Sequence, residues 1–117
     1  MRHHNKNRTL HRDKRQRTAL LRSLARSLIL HEGITTTIAK AKELRPYIEQ
    51  LVTVSKANTV ASRRLVNTRL VSMEGVKKLH DVIAPRYLKR AGGYTRIVRL
   101  GRTGKRVGED ARIEFVS

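Results

Sequence analysis

Charge limits what this chain can be more than any other property: 27 Lys and Arg stand against 9 Asp and Glu in 117 residues, a formal net charge of +18. A compact body with that surplus repels itself, and it settles only against a polyanion. Nucleic acid is the expected partner. The charge is also unevenly spread. Residues 1–26 hold nine bases (Arg2, Lys6, Arg8, Arg12, Lys14, Arg15, Arg17, Arg22, Arg26) against Asp13 alone, and residues 86–106 hold eight bases and no acid. Positions 31–84 carry nine bases and five acids, a ratio nearer that of an ordinary soluble domain. Two basic flanks therefore bracket a milder middle.

Several functional classes fall on composition. Without cysteine there is no disulfide framework, thiolate zinc site or iron–sulfur cluster. An aromatic share of 3% argues against a sheet that stacks bases on aromatic rings. No apolar run exceeds four residues, so no segment spans a bilayer and no secretory core follows the start. A soluble cytoplasmic protein is expected. Catalysis finds no constellation. His3, His4 and His11 lack the spacing of a zinc protease, His31 falls at a helix end, and His80 is expected on the polar side of a helix. Glu43, Glu49, Glu109 and Asp110 offer no acid and base converging on a cleft, and no GxxxxGK[ST] run is present. The reading is no enzyme, no metal, no cofactor and no small-molecule substrate.

Organisation follows from periodicity. Residues 1–16 have one Leu and no apolar period, which predicts an extended basic arm that orders only on a charged partner; residues 17–117 form a single domain. Leu20, Leu21, Leu24, Ala25 and Leu28 mark an amphipathic helix from Arg17 to near His31, with Gly33 as its stop. Ile34–Thr37 suits a short strand whose threonine caps a second helix, with Ala41, Leu44, Ile48, Leu51 and Val52 inward and Pro46 kinking or breaking it. A third helix, capped by Asn58 or Thr59, should bury Ala61, Leu65 and Val66. A fourth, capped by Ser72, should bury Val76, Leu79, Val82 and Ile83 and end near Pro85. Beyond Gly92 and Gly93 the period drops to two. Tyr94–Leu100 and Ala111–Val116 then form an antiparallel hairpin around a long glycine-rich loop. The fold class is α+β, four helices packed on a small sheet. Arg is the telling base for phosphate, because its planar fork binds two oxygens and its face stacks on bases. Tyr94 beside Arg96 suits such stacking and equally suits a hairpin core.

These motifs resemble the bacterial large-subunit ribosomal protein seventeen family over nearly the whole length. The resemblance rests on MRHxNK at Met1–Lys6, ITTTIAKAKELRPYIEQL at Ile34–Leu51, IAPRY at Ile83–Tyr87 and RAGGYTRIVRLG at Arg90–Gly101. It implies an α+β domain with a mixed sheet. It further implies a structural role on large-subunit rRNA near the peptide tunnel exit, beside other large-subunit proteins and not as a homo-oligomer. Carried over by position, it assigns rRNA contact to Arg2, His3, Lys6, Arg8, Arg12, Arg15 and Arg17 in the arm and first helix. Lys40, Lys42 and Arg45 follow in the central motif, and Arg86, Arg90, Tyr94, Arg96 and Arg99 near the hairpin. His4, Asn7, His11 and Ser23 depart from the family, which carries a base, Gly, Gly and Asn there. Two rivals explain part of the pattern. An interfacial helix fits residues 1–30 alone, and a duplex-DNA compactor fits the charge alone.

Overall fold

The computed structural model describes residue 10, residues 13–102 and residues 108–117. The arm positions Arg2, His3, His4, Lys6, Asn7, Arg8, His11 and Arg12, and the middle of the loop after Gly101, lie outside the described residues.

The first helix, α1 (Lys14–His31), begins three residues before the expected Arg17. The Asp13 carboxylate is the cause: it accepts from Gln16 N at 2.8 Å and caps the first turn. Lys14, Arg15 and Gln16 are therefore helical rather than arm. Leu21, Ala25, Leu28 and Ile29 form its buried stripe. Its stop is not Gly33 but Glu32, which adopts the left-handed conformation at φ 63° and donates its N–H to Leu28 O. Gly33 instead opens β1 (Gly33–Thr37), where a Cβ would lie 2.3 Å from Arg112 Nη2. Its bareness lets that guanidinium lie across the strand.

The sheet has the order β1-β3-β2, with β2 spanning Thr95–Gly101 and β3 Asp110–Phe115. Gly33 pairs with Glu114 and Thr37 with Asp110 on one side of β3; Thr95 pairs with Phe115 on the other. Every pairing is antiparallel, which corrects the expected mixed sheet. β1 and β2 run the same way, but β3 threads between them, so no parallel contact forms. Strand alternation turns Ala111, Ile113 and Phe115 inward and leaves Asp110, Arg112 and Glu114 on the outer face.

Helix α2 (Ile38–Ser55) covers the inner face. Thr37 caps it, accepting from Lys40 N, and its expected stripe of Ala41, Leu44, Ile48, Leu51 and Val52 is buried throughout. The helix passes through Pro46 without a break. Pro46 and Lys42, whose carbonyl it cannot bond, are both exposed, so the lost hydrogen bond falls on the solvent side.

Helix α3 (Val60–Leu70) opens on a capping box in which Ser62 N donates to Thr59 Oγ1 at 3.0 Å and Thr59 N donates to Ser62 Oγ at 2.9 Å. That cap sets the phase, so Ser62, Val66 and Leu70 are buried while Ala61 and Leu65, expected inside, face solvent. Helix α4 (Met73–Lys78), capped by Ser72, continues as a π-turn over Leu79–Ile83 and a 3-10 turn over Ala84–Tyr87. The wider π-turn shifts the helical phase. Val76, Leu79 and Ile83 stay inward, Val82 turns out, and His80, expected on the polar side, becomes buried. Its ring lies 2.9 Å from Val76 O and 3.1 Å from Ser62 Oγ. All four helices and the three strands share one apolar cluster, which also takes in Tyr87, Tyr94 and Phe115.

Candidate nucleic-acid interface

A cation-rich end forms where α1, α2 and the hairpin meet at one end of the sheet. Ile38 N donates to Glu109 O at 3.0 Å, and Thr37 and Gly101 both pair with Asp110, so the start of α2 adjoins the ends of the hairpin strands. Arg17 reaches Glu43 Oε2 at 2.7 Å, which pins the first turn of α1 beside the second turn of α2. Lys14, Arg15, Lys40 and Lys42 thus collect at this end, and none of them has an ion pair among the described residues. Lys14, Arg15, Thr18, Ala19 and Arg22 also line a shallow groove along α1. Thr53 in the last turn of α2 and Lys56 at its C-cap meet Tyr94 and Arg90 at the other end of the helix, whose 18 residues rise roughly 27 Å.

The expected contacts therefore divide. Arg15, Lys40, Lys42, Arg45 and Arg99 stand at or near the first end; Arg86, Arg90 and Arg96 stand toward the second. Several are already engaged with protein. Arg45 lies 3.6 Å from Glu49, Arg96 3.6 Å from Glu114, and Arg99 3.5 Å from Glu109. Arg90 donates to Gly93 O at 3.1 Å, and Arg86 bonds Glu32 directly. The Arg86 hydrogen bond holds the Glu32 carboxyl below its ordinary value, with Lys78 3.5 Å away adding to the effect against a smaller cost of burial.

Similarity to known proteins decides the lineage. A family model described as Ribosomal protein L17 matches residues 20–116. The Large ribosomal subunit protein bL17 of Sphingopyxis alaskensis is 51% identical over 116 residues, covering 99% of this chain and 84% of that protein. The proteins of the same name from Sulfurihydrogenibium sp. and Persephonella marina are 49% and 50% identical, each over 99% of this chain and 97% and 95% of their own lengths. The chain belongs to the ribosomal protein L17 family. Ribosomal protein L17 is a structural family and not an enzymatic one, which agrees with the expected lack of catalysis.

Within this L17 chain one assignment is corrected. Tyr94, expected as a base-stacking contact or a core residue, is 1% exposed and is core. Its ring packs 5.2 Å from that of Tyr87 and beneath Lys56 Nζ, 5.0 Å from the centroid. A base has no face to reach. Burial alone would push its hydroxyl upward, but a hydrogen bond from Lys56 Nζ and another shared with Thr53 Oγ1 bring it below its ordinary value. Lys14, which the resemblance does not assign although it sits in the same basic run as Arg15, joins this end; its signal in the sequence is Asp13 followed by Gln16, which starts the helix early enough to place it. Glu49 does more than pair with Arg45. It accepts from Gly93 N, Thr95 N and Thr95 Oγ1, tying the Gly92–Gly93 turn to α2.

Proposed function

We propose that this chain is a structural component of the large ribosomal subunit in the cytoplasm, bound to its rRNA near the peptide tunnel exit, beside other large-subunit proteins and as a single copy. It neutralises phosphates and holds folded RNA by shape, without reading base edges. Arg15, Lys40 and Lys42 contact rRNA at the end where α1 and α2 begin. Arg45 and Arg99 border them, the arm residues Arg2, His3, Lys6, Arg8 and Arg12 extend the contact, and Arg86, Arg90 and Arg96 give a second point of attachment. Arg17 contributes field there while its guanidinium serves Glu43. The observation that carries the reading is the set of cations without ion pairs among the described residues at the shared end of α1 and α2, in a molecule of charge +18. The relatives' name, Large ribosomal subunit protein bL17, supports the subunit.

The test is binding of the purified full-length chain to large-subunit rRNA fragments, with duplex DNA as competitor. A protein touching six to ten phosphates loses roughly 10³ to 10⁵ in affinity between about 50 and 200 mM salt. A slope of that size with preference for structured rRNA supports the proposal, as does co-sedimentation with large subunits after a moderate salt wash. Equal affinity for duplex DNA, or complete release into the free pool, overturns it.

A further inference from the structure

A groove of about 540 Å³ runs between α3 and α4, and the RNA interface does not use it. Its apolar surface comes from Val60, Met73 and Val76, with Arg64, Lys77 and Glu74 on the rim. Val60 is 66% and Met73 83% exposed, an unusual cost for two apolar side chains in a chain with so small a core. Methionine adapts its shape to an incoming group better than any branched residue. Arg63 and Asp81, also in the lining, bond each other at 2.7 Å. Arg64 and Lys77 are exposed and have no ion pair among the described residues.

Three occupants compete. RNA is disfavoured, because the apolar surface offers base edges little to bond and Glu74 and Asp81 offset two of the three bases in the lining. The groove also lies wholly within positions 31–84, the segment where acids offset more of the bases. A second copy is disfavoured by the mutual repulsion of two bodies of charge +18, each presenting Arg64 and Lys77. A different protein remains. Its chemistry is complementary to the rim: an apolar anchor for Met73 and Val60, and a carboxylate for the two uncommitted cations.

We propose that the groove between α3 and α4 receives a large apolar side chain of a neighbouring large-subunit protein, on a segment that also brings a carboxylate to Arg64 and Lys77. This rests on the subunit assignment above. The apolar side chain supplies affinity and the carboxylate fixes the register.

The experiment replaces Met73 with a benzophenone-bearing residue in cells whose only copy of the chain carries it, purifies large subunits and irradiates them. The expected product is an adduct with one protein species, resistant to ribonuclease, whose cross-linked peptide holds a large apolar residue and an acid within a few positions. Adding Arg64→Glu and Lys77→Glu should reduce that adduct about tenfold, and Arg64→Gln with Lys77→Gln by less. A ribonuclease-sensitive adduct, an adduct of two copies, no adduct, or one indifferent to charge reversal overturns the docking proposal. Absence of the unsubstituted chain from large subunits overturns the proposed function instead, so the two failures are distinct.

Discussion

Val71 ends α3 in the left-handed conformation, at φ 51°, a geometry that a β-branched side chain tolerates poorly. Left-handed backbone costs an L-residue roughly 1–2 kcal/mol, and glycine loses about 0.5–1 kcal/mol in unfolded-state entropy. Val71→Gly should therefore raise stability by about 0.5–1 kcal/mol. Its side chain is 55% exposed and gives up little packing, while its carbonyl still accepts from Arg26. A urea midpoint equal to or below that of the parent chain would show that the strain is not stored there. Glu32 shares the conformation but is held differently, by Arg86 and Lys78 on its carboxylate and by Phe115 N on its carbonyl. Its carboxyl lies below the ordinary 4.5, chiefly through the Arg86 hydrogen bond. A depressed carboxylate stabilises the fold above its unfolded value and loses that contribution as pH falls through the folded one. Glu32→Gln should thus lower the urea midpoint at neutral pH, and the gap to the parent should close as pH falls below the ordinary carboxylate value. A gap constant across that range would mean that the ion pairs contribute nothing.

At the level of elements, the sequence is readable wherever one period runs unbroken. The stripe of α2 lands as expected because its 3.6-residue spacing persists past Pro46, and Thr37 caps it as its residue type predicts. Phase errors arise where geometry changes without a compositional mark. Nothing in LHDVI announces a π-turn, yet that turn sends Val82 outward and His80 inward. His80 then reaches Ser62, the residue that completes the α3 capping box, so the start of α3 and the π-turn share one buried polar contact. The cation-rich end was legible from charge, whereas the burial of Tyr94 was not, because alternation around a hairpin start fits either side. Ser62→Ala removes both the acceptor for Thr59 N and the partner of His80, and should cost about 1–2 kcal/mol. In a double-mutant cycle with His80→Gln the two changes should not add. Additive losses would show that cap and π-turn are independent.

Across the whole molecule, most ion pairs among the described residues bind acids into the body: Glu43 with Arg17, Glu32 with Arg86 and Lys78, Asp81 with Arg63 and Glu114 with Arg96. Bases outnumber acids three to one, so the surplus must lie elsewhere, and its location decides whether RNA binding is a property of total charge or of one end. Two matched pairs of side chains separate these. Among the described residues, Arg15 and Lys42 are exposed and lack ion pairs at the shared start of α1 and α2; Arg64 and Lys77 are exposed and lack them too, beside the α3–α4 groove. Removing either pair lowers the net charge by the same amount. If phosphates dock at the first end, Arg15→Ala with Lys42→Ala should reduce the magnitude of the salt slope for rRNA binding by about 2, one counterion per lost contact. Arg64→Ala with Lys77→Ala should leave the slope unchanged and alter affinity only through the long-range field, which salt screens within about 8 Å at physiological ionic strength. Thermal midpoints should hold in both, since none of the four side chains makes an ion pair among the described residues. Equal slopes for the two variants would mean that RNA senses net charge and that no end of the fold is its interface.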